Sequence, residues 1–276
     1  MTGSGPSTTR ANRIAVRAGV ATPGSRALPE EVPVALSFGG TTQAVMMATP
    51  DDLEDFGIGF ALSEAIIGAA GDVVELEIME ADQGFDVQMR LADAVQGAFA
   101  ARRRKMAGPV GCGLCGIESI DEALRALPAR SEVELELNSG DVREAVRSLA
   151  MQQKLRAETG AVHAAGFYHP DKGMLCVRED VGRHNALDKL IGAMARSGLN
   201  PAEGAIVITS RVSVDMVQKA VIAGTGVLIA VSAPTALAVR TAEAAGLTLV
   251  AIARGADFEV FSRPSRISKG VESDVA

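Results

Sequence analysis

Apolar and polar residues alternate along Val32–Phe38, and 43–48 repeats that rhythm closely enough to pair with it as a second strand. Thr49-Pro50-Asp51-Asp52 then has the make-up of a helix start. Thr49 can cap, Pro50 suits the first helical position, and two carboxylates favour the positive end of the helix dipole. That helix is expected to run through Phe56, Phe60 and Leu62 towards Gly68. Segments 73–79 and 85–91 read as two further strands, 119–127 as a helix and 132–137 as a strand. In the second half, 141–158 has helical periodicity, 161–168 and 174–178 flank a turn-rich hairpin connection, and Arg183–Arg196 is helical again. Three apolar runs follow at 205–209, 227–231 and 247–253, separated by helix-length segments. This is a βαβαβ pattern, which implies parallel strands with right-handed crossovers.

The fold class is therefore α/β. Residues 1–28, rich in Gly, Pro, Ser and Thr, are expected to be a mobile tail. A smaller α+β part is expected over 29–138, an α/β domain over 139–267, and a short tail over 268–276.

Composition narrows the partners. The 276 residues carry 27 Lys+Arg against 34 Asp+Glu, a formal charge of −7, which argues against broad nucleic-acid binding. Aromatics are 3%, with no Trp and one Tyr, so a base-stacking surface is not expected. With 47% hydrophobic residues the chain is neither disordered nor collagen-like. The first ten residues lack the apolar segment of a signal peptide. The uncharged stretch 220–239 is broken by Gly224, Thr225, Gly226, Ser232, Pro234 and Thr235, so it reads as a strand between two helices rather than a membrane span. A cytoplasmic protein with no membrane partner is expected.

Three cysteines, an odd number, argue against a disulfide framework and for a reducing compartment. Cys112 and Cys115 lie in Gly111-Cys112-Gly113-Leu114-Cys115-Gly116, where three glycines present both sulfurs on an open loop. A helix from 119 and the upstream run Arg102-Arg103-Arg104-Lys105 are both placed to favour a thiolate. Half of a zinc site is the competing reading, but no second C-x-x-C exists, and the other candidate ligands are Cys176, His163, His169, His184 and carboxylates. Cys176, inside an apolar strand pattern, reads as a small buried hydrophobe.

Two further clusters suggest an anionic ligand. Glu179-Asp180-Val181-Gly182-Arg183-His184-Asn185-Ala186-Leu187-Asp188-Lys189 sits at a strand-to-helix turn and holds more polar groups than a helix cap needs. The ends of the three parallel strands carry Thr209-Ser210-Arg211, Ser232-Ala233-Pro234-Thr235 and Arg254-Gly255-Ala256-Asp257. Ligands bind beyond such strand ends, and hydroxyls and arginines at helix N-termini suit phosphate. Neither a P-loop nor a strand-linked G-x-G-x-x-G is present. His163 is either a hydrogen-bonded core histidine or part of the same cleft.

The motifs at 111–116, 159–165 (Thr-Gly-Ala-Val-His-Ala-Ala) and 179–186, with Arg211, Val-Gln-Lys-Ala at 217–220, 231–235 and 253–255, resemble the FdhD family of formate dehydrogenase accessory sulfurtransferases over about 29–267. The resemblance implies a cytidine deaminase-like layered sandwich. It also implies a sulfur carrier between a cysteine desulfurase and the bis(molybdopterin guanine dinucleotide) molybdenum cofactor of formate dehydrogenase. Cys112 would carry the persulfide with Cys115 assisting. The family's cofactor segment maps onto Ile252, Ala253, Arg254, Gly255, Ala256 and Asp257. Arg183, His184, Ser210, Arg211 and Ser232 are the further cofactor-binding candidates. A homodimer is expected, and no permanent metal. Gly108-Pro109-Val110-Gly111 departs from the Ser/Thr-rich lead-in of the family.

Two rival functions remain beside this one: a cofactor-binding chaperone without sulfur transfer, and a zinc-binding deaminase-like protein. Deaminase chemistry needs H-x-E followed by P-C-x-x-C. Here Ala164 and Ala165 follow His163, and the cysteine pair precedes it, so the proton-shuttling Glu is missing.

Overall fold

The computed structural model describes residues 5–106, 127–130, 132 and 134–268. Cys112, Cys115, all but the last residue of the helix expected at 119–127 and the tail beyond Ser268 lie outside the described residues.

The expected N-terminal tail is corrected. Strands β1 (Thr8–Arg17) and β2 (Val20–Pro29) pair antiparallel through all ten residues of each. Ala18 (φ 47°) and Gly19 (φ 83°) close a two-residue turn, and left-handed geometry at both positions matches the twist of a hairpin. Turn-forming residues had hidden the strand alternation. The ribbon is a separate two-stranded sheet.

A four-stranded sheet follows, in the order β4-β3-β6-β5, from β3 (Val32–Phe38), β4 (Thr41–Ala48), β5 (Val73–Ala81) and β6 (Gly84–Leu91). Helices α1 (Leu53–Ser63) and α2 (Asp93–Met106) accompany it. Val34, Leu36, Phe38, Phe56, Val87, Met89 and Phe99 form its core. The run 102–105 closes α2. Helix α1 starts and stops inside its expected bounds: Asp52 is left-handed and Thr49 caps nothing. Both Thr49 backbone groups are instead committed to the buried polar cluster described below.

The second unit is a six-stranded sheet in the order β13-β12-β11-β10-β8-β9. Its strands are β8 (His163–His169), β9 (Gly173–Asp180), β10 (Ala205–Ile208), β11 (Val227–Ala230), β12 (Thr248–Arg254) and β13 (Asp257–Ser262). β10, β11 and β12 run parallel as expected, and β8 is antiparallel to β10. Helices α5 (Arg183–Arg196), α6 (Val214–Ala223) and α7 (Ala236–Ala245) bury their apolar faces on one side of the sheet. Helix α3 (Ser139–Gln152) covers the other side through Val142, Ala145 and Leu149. The helix expected over 141–158 is two helices, because Gln153 (ψ 82°) breaks it before α4 (Lys154–Thr159). Among the described residues of the strand expected at 132–137, only Leu137 is in a strand, β7 (Leu137–Asn138), paired with β14 (Ile267–Ser268). The chain is an α/β protein.

The two units meet where α1 crosses α5. A Cβ on Gly59 would lie 1.7 Å from the Asp188 carbonyl oxygen, and one on Gly192 1.9 Å from that of Asp55. Only hydrogen at these two Cα atoms permits so close an approach of backbones.

Candidate functional site

The antiparallel register of β8 and β9 puts the start of β8 and the end of β9 at the same edge as the C-terminal ends of β10, β11 and β12. His163, the turn 180–184, Thr209–Arg211, Ser232 and Arg254 therefore share one rim. At about 4.8 Å per strand, the row from β9 to β12 spans roughly 19 Å. The N-termini of α5, α6 and α7 open onto it, so backbone N–H groups face the same side.

The turn after β9 sorts its polar residues into two jobs. Asp180, fully buried, accepts four hydrogen bonds. Its Oδ1 takes the Gly182 N–H (2.7 Å) and Asn185 Nδ2 (3.0 Å); its Oδ2 takes the Thr49 N–H (3.0 Å) and Lys189 Nζ (2.7 Å). Lys189 also donates to the Thr49 carbonyl (2.8 Å), and Asn185 to that of Met47 (2.8 Å). The Val181 N–H donates to Thr49 Oγ1 (3.2 Å). Glu179 points away and caps α4 by accepting the N–H groups of Leu155 (2.7 Å) and Arg156 (2.9 Å). Arg183 and His184 differ from these: Arg183 Nε and His184 Nε2 are buried atoms with no hydrogen-bond partner. Buried polar atoms without a partner are uncommon, and these two adjoin each other at the rim.

The electrostatics follow. Burial, then the charges of Arg183 and Lys219, push the His184 imidazole down to about 4. Its Nε2 lies 3.8 Å from Asp215 Oδ2, too far for a hydrogen bond, so near pH 7 it is a neutral ring rather than half of an ion pair. Burial and the charges of Arg183 and Arg156 likewise lower His163.

At the far end of the row, Ile252 adopts φ 55°, a left-handed conformation costly for a β-branched residue, and the β12–β13 register shifts between Ala251 and Arg254. The Ile252 N–H still donates to the Ser232 carbonyl (3.2 Å), and Arg254 Nε to that of Val231 (3.4 Å). Arg254, Gly255, Ala256 and Asp257 form an exposed turn, whereas Ala253 is buried in the core beneath α3. Ser210 is buried with its hydroxyl given to the Arg211 carbonyl (3.0 Å), while the Arg211 side chain is exposed. Cys176 is half-buried against the core, and burial pushes its thiol up, away from thiolate chemistry. Among the described residues no three His, Cys, Asp or Glu side chains gather as a metal-ligand group, and no helix is long and apolar enough to cross a membrane.

The family model described as the FdhD/NarQ family matches residues 29–268. The chain belongs to this family. A relative from Agrobacterium fabrum named Sulfur carrier protein FdhD is 56% identical over 258 residues, covering 94% of this chain and 95% of the relative. One of the same name from Brucella abortus is 55% identical, covering 88% and 90%. A crystal structure from Desulfotalea psychrophila, described as a candidate formate dehydrogenase accessory protein, has a TM-score of 0.75 at 24% identity. It covers 95% of this chain and 100% of that one, a likeness of fold.

In this FdhD/NarQ chain, three residues named in the sequence only as a cap or as part of a motif turn out to hold the rim. Thr49 and Lys189 complete the Asp180 cluster. Lys219, on α6, donates to Asp188 Oδ1 and Oδ2 (both 3.0 Å), Ser63 Oγ (2.8 Å) and Glu64 Oε1 (2.9 Å). A signal for it was present: a lysine amid buried positions of an apolar helix needs a buried carboxylate.

Proposed function

We propose that this chain is a sulfur carrier that takes persulfide sulfur from a cysteine desulfurase and passes it to a bis(molybdopterin guanine dinucleotide) molybdenum cofactor destined for formate dehydrogenase. The observation that carries the reading is likeness along the whole chain to relatives named Sulfur carrier protein FdhD. The C-x-x-C motif in the sequence and the polar strand-end rim support it.

In the loading step, the Cys112 thiolate attacks the outer sulfur of the donor persulfide. An S–S bond forms at Cys112, the donor's S–S bond breaks, and the donor cysteine departs as its thiolate. In delivery, Cys115 attacks the Cys112 sulfur, the outer sulfur departs as hydrosulfide to the substrate metal, and a cellular thiol reduces the resulting Cys112–Cys115 disulfide. This is sulfurtransferase chemistry and needs a reducing cytoplasm to keep both thiols free.

The dinucleotide is the substrate here, and the rim suits its diphosphates. Arg183 and Arg254 would supply charge, the α5 to α7 N-termini backbone donors, and Ser232 a hydroxyl. Neutral His184 would offer Nε2 to a polar edge of the ligand. Holding the substrate in place would supply proximity between its metal and the sulfur-bearing cysteine.

The test is intact-protein mass after incubation with a cysteine desulfurase and cysteine, repeated on Cys112→Ala and Cys115→Ala. A reducible gain of one sulfur, absent from Cys112→Ala and retained by Cys115→Ala, is expected. No gain on the unmodified chain beside an active donor would overturn the carrier role and leave a cofactor-binding chaperone.

A further inference from the structure

Strand β12 breaks its own alternation where it reaches the rim. Leu249 and Ala251 belong to the core under α5–α7, and Val250 to the core under α3. A regular strand would next send Ile252 towards α3 and Ala253 towards α5–α7. The structure does the reverse: Ile252 packs against the α5–α7 core and Ala253 lies in the α3 core. The pairing with β13 shows why. Ala251 faces Glu259 and Arg254 faces Asp257, so two residues of β12 stand against Phe258 alone. Phe258 packs with the α3 core, as Ala253 does, which makes Ile252 the inserted residue of a β-bulge. Its φ of 55° is a conformation that a β-branched residue resists, and such strain persists only where the surroundings hold it. Here the Ile252 N–H is tied to the Ser232 carbonyl (3.2 Å), just past the end of β11, and the side chain is held by the core.

The insertion decides where Arg254 stands. Directly opposed residues of an antiparallel pair share a face. Glu259 shares that of Ala251, so Asp257, two residues away, and its partner Arg254 lie on the α5–α7 side as well. That is the side from which the helix N-termini open onto the rim. Gly255 (φ 61°) and Ala256 then close a two-residue turn. In an unbulged hairpin of the same sequence, Ile252 would face Phe258 and Ala253 would face Asp257. Arg254 would then leave the ladder for the turn. The bulge instead keeps this arginine as the last paired residue of β12, with its Nε 3.4 Å from the Val231 carbonyl.

We propose that Ile252 is a positioning residue for the diphosphate site: its left-handed bulge holds Arg254 in the ladder on the helix side of the rim, where the guanidinium meets the anionic ligand. This deepens the dinucleotide reading of the rim and rests on it for the identity of the anion.

The test is calorimetric titration of the full chain with guanosine diphosphate. The unmodified chain is expected to bind, and Arg254→Ala at least about tenfold more weakly, having lost a charge-assisted contact to phosphate. Ile252→Gly takes up a left-handed φ freely, so it should bind within about threefold of the parent although it loses the side chain's packing. Ile252→Pro is confined to φ near −65° and should bind as weakly as Arg254→Ala. Gly255→Val resists φ 61° at an exposed turn where a Cβ meets nothing, so it favours the unbulged register without touching the core; a loss of at least about fivefold is expected. Combined with Arg254→Ala, it should cost less than about twofold more, because both changes remove the same contact. The circular dichroism spectrum of Gly255→Val should match the parent's, so that variant decides the matter even if Ile252→Pro does not fold. Losses that add in the double variant, or an Ile252→Gly as weak as Arg254→Ala, would overturn the proposal alone. Guanosine diphosphate that fails to bind the unmodified chain would overturn the rim reading with it, while the carrier role is decided separately by the mass test.

Discussion

Asp180→Asn is the most informative single change to the rim. The carboxylate accepts two donors on each oxygen, so an asparagine in either orientation turns its amide NH2 towards two of them. It also leaves the Lys189 ammonium, which has no exposure, without its counter-charge. Breaking one side of a buried ion pair costs about 3–5 kcal/mol. At roughly 2–4 °C per kcal/mol for a chain near this size, the Tm should fall by about 6–20 °C. With no Trp and one Tyr, the melt is best followed by far-ultraviolet circular dichroism. Asp180→Asn/Lys189→Met removes both charges and keeps the lysine stem's apolar contact beside the Phe56 ring, whose centroid lies 5.8 Å from Nζ. That double variant should recover most of the lost stability while leaving the Gly182–His184 turn less constrained, so guanosine diphosphate, as a probe of the rim, should bind it more weakly than the unmodified chain. A single variant that melts within about 2 °C of the parent, or a double variant no more stable than the single, would refute the reasoning.

Two other outcomes follow from the same geometry. Gly59→Ala sets a methyl against the Asp188 backbone carbonyl, an atom that cannot swing aside; a loss of about 3 kcal/mol or more is expected in urea unfolding, against well under 1 kcal/mol for Gly71→Ala, which meets nothing. His184 has a folded pKa near 4, below its unfolded value of about 6.5, so the unfolded chain binds more protons between those values. The stabilising contribution of the neutral ring is therefore whole above about pH 6.5 and is lost as pH falls towards 4; unfolding midpoints of His184→Gln should show a shallower decline across that window than the parent, and an equal slope would contradict the assignment.

The legible parts of this fold are those written in local periodicity. Helix α5 occupies its expected bounds, and the parallel strands β10 to β12 follow from three apolar runs separated by helices. Their strand ends, and with them the rim, could be named in advance because topology alone brings them to one edge. The β1–β2 ribbon was not legible, since Thr22, Pro23, Gly24 and Ser25 carry turn chemistry inside a strand. Thr49 was read as a helix cap because capping is a local rule, whereas its actual partners, Asp180 and Val181, lie more than 130 residues away. The need for Gly59 and Gly192 is not written in local periodicity; the crossing that requires them exists only once α1 and α5 meet.

The buried ionic clusters under the rim cannot be explained by stability alone. Replacing a buried pair with apolar residues of similar size is often neutral or stabilising, so Asp180–Lys189 and Asp188–Lys219 are poor devices for merely joining two units. Direction is what they add. An apolar contact tolerates sliding, whereas Asp180 must meet donors from three separate segments at once: Thr49 after β4, the Gly182 turn, and the first turns of α5. Only one placement of the Arg183–His184 turn satisfies all of them. Lys219 does the same for α6, which it ties to Asp188 on α5 and to Ser63 at the end of α1. The N-terminal unit is thus built into the strand-end rim of the other unit, and changes near Thr49 or Ser63 should be felt at Arg183 and His184 before they are felt in the core.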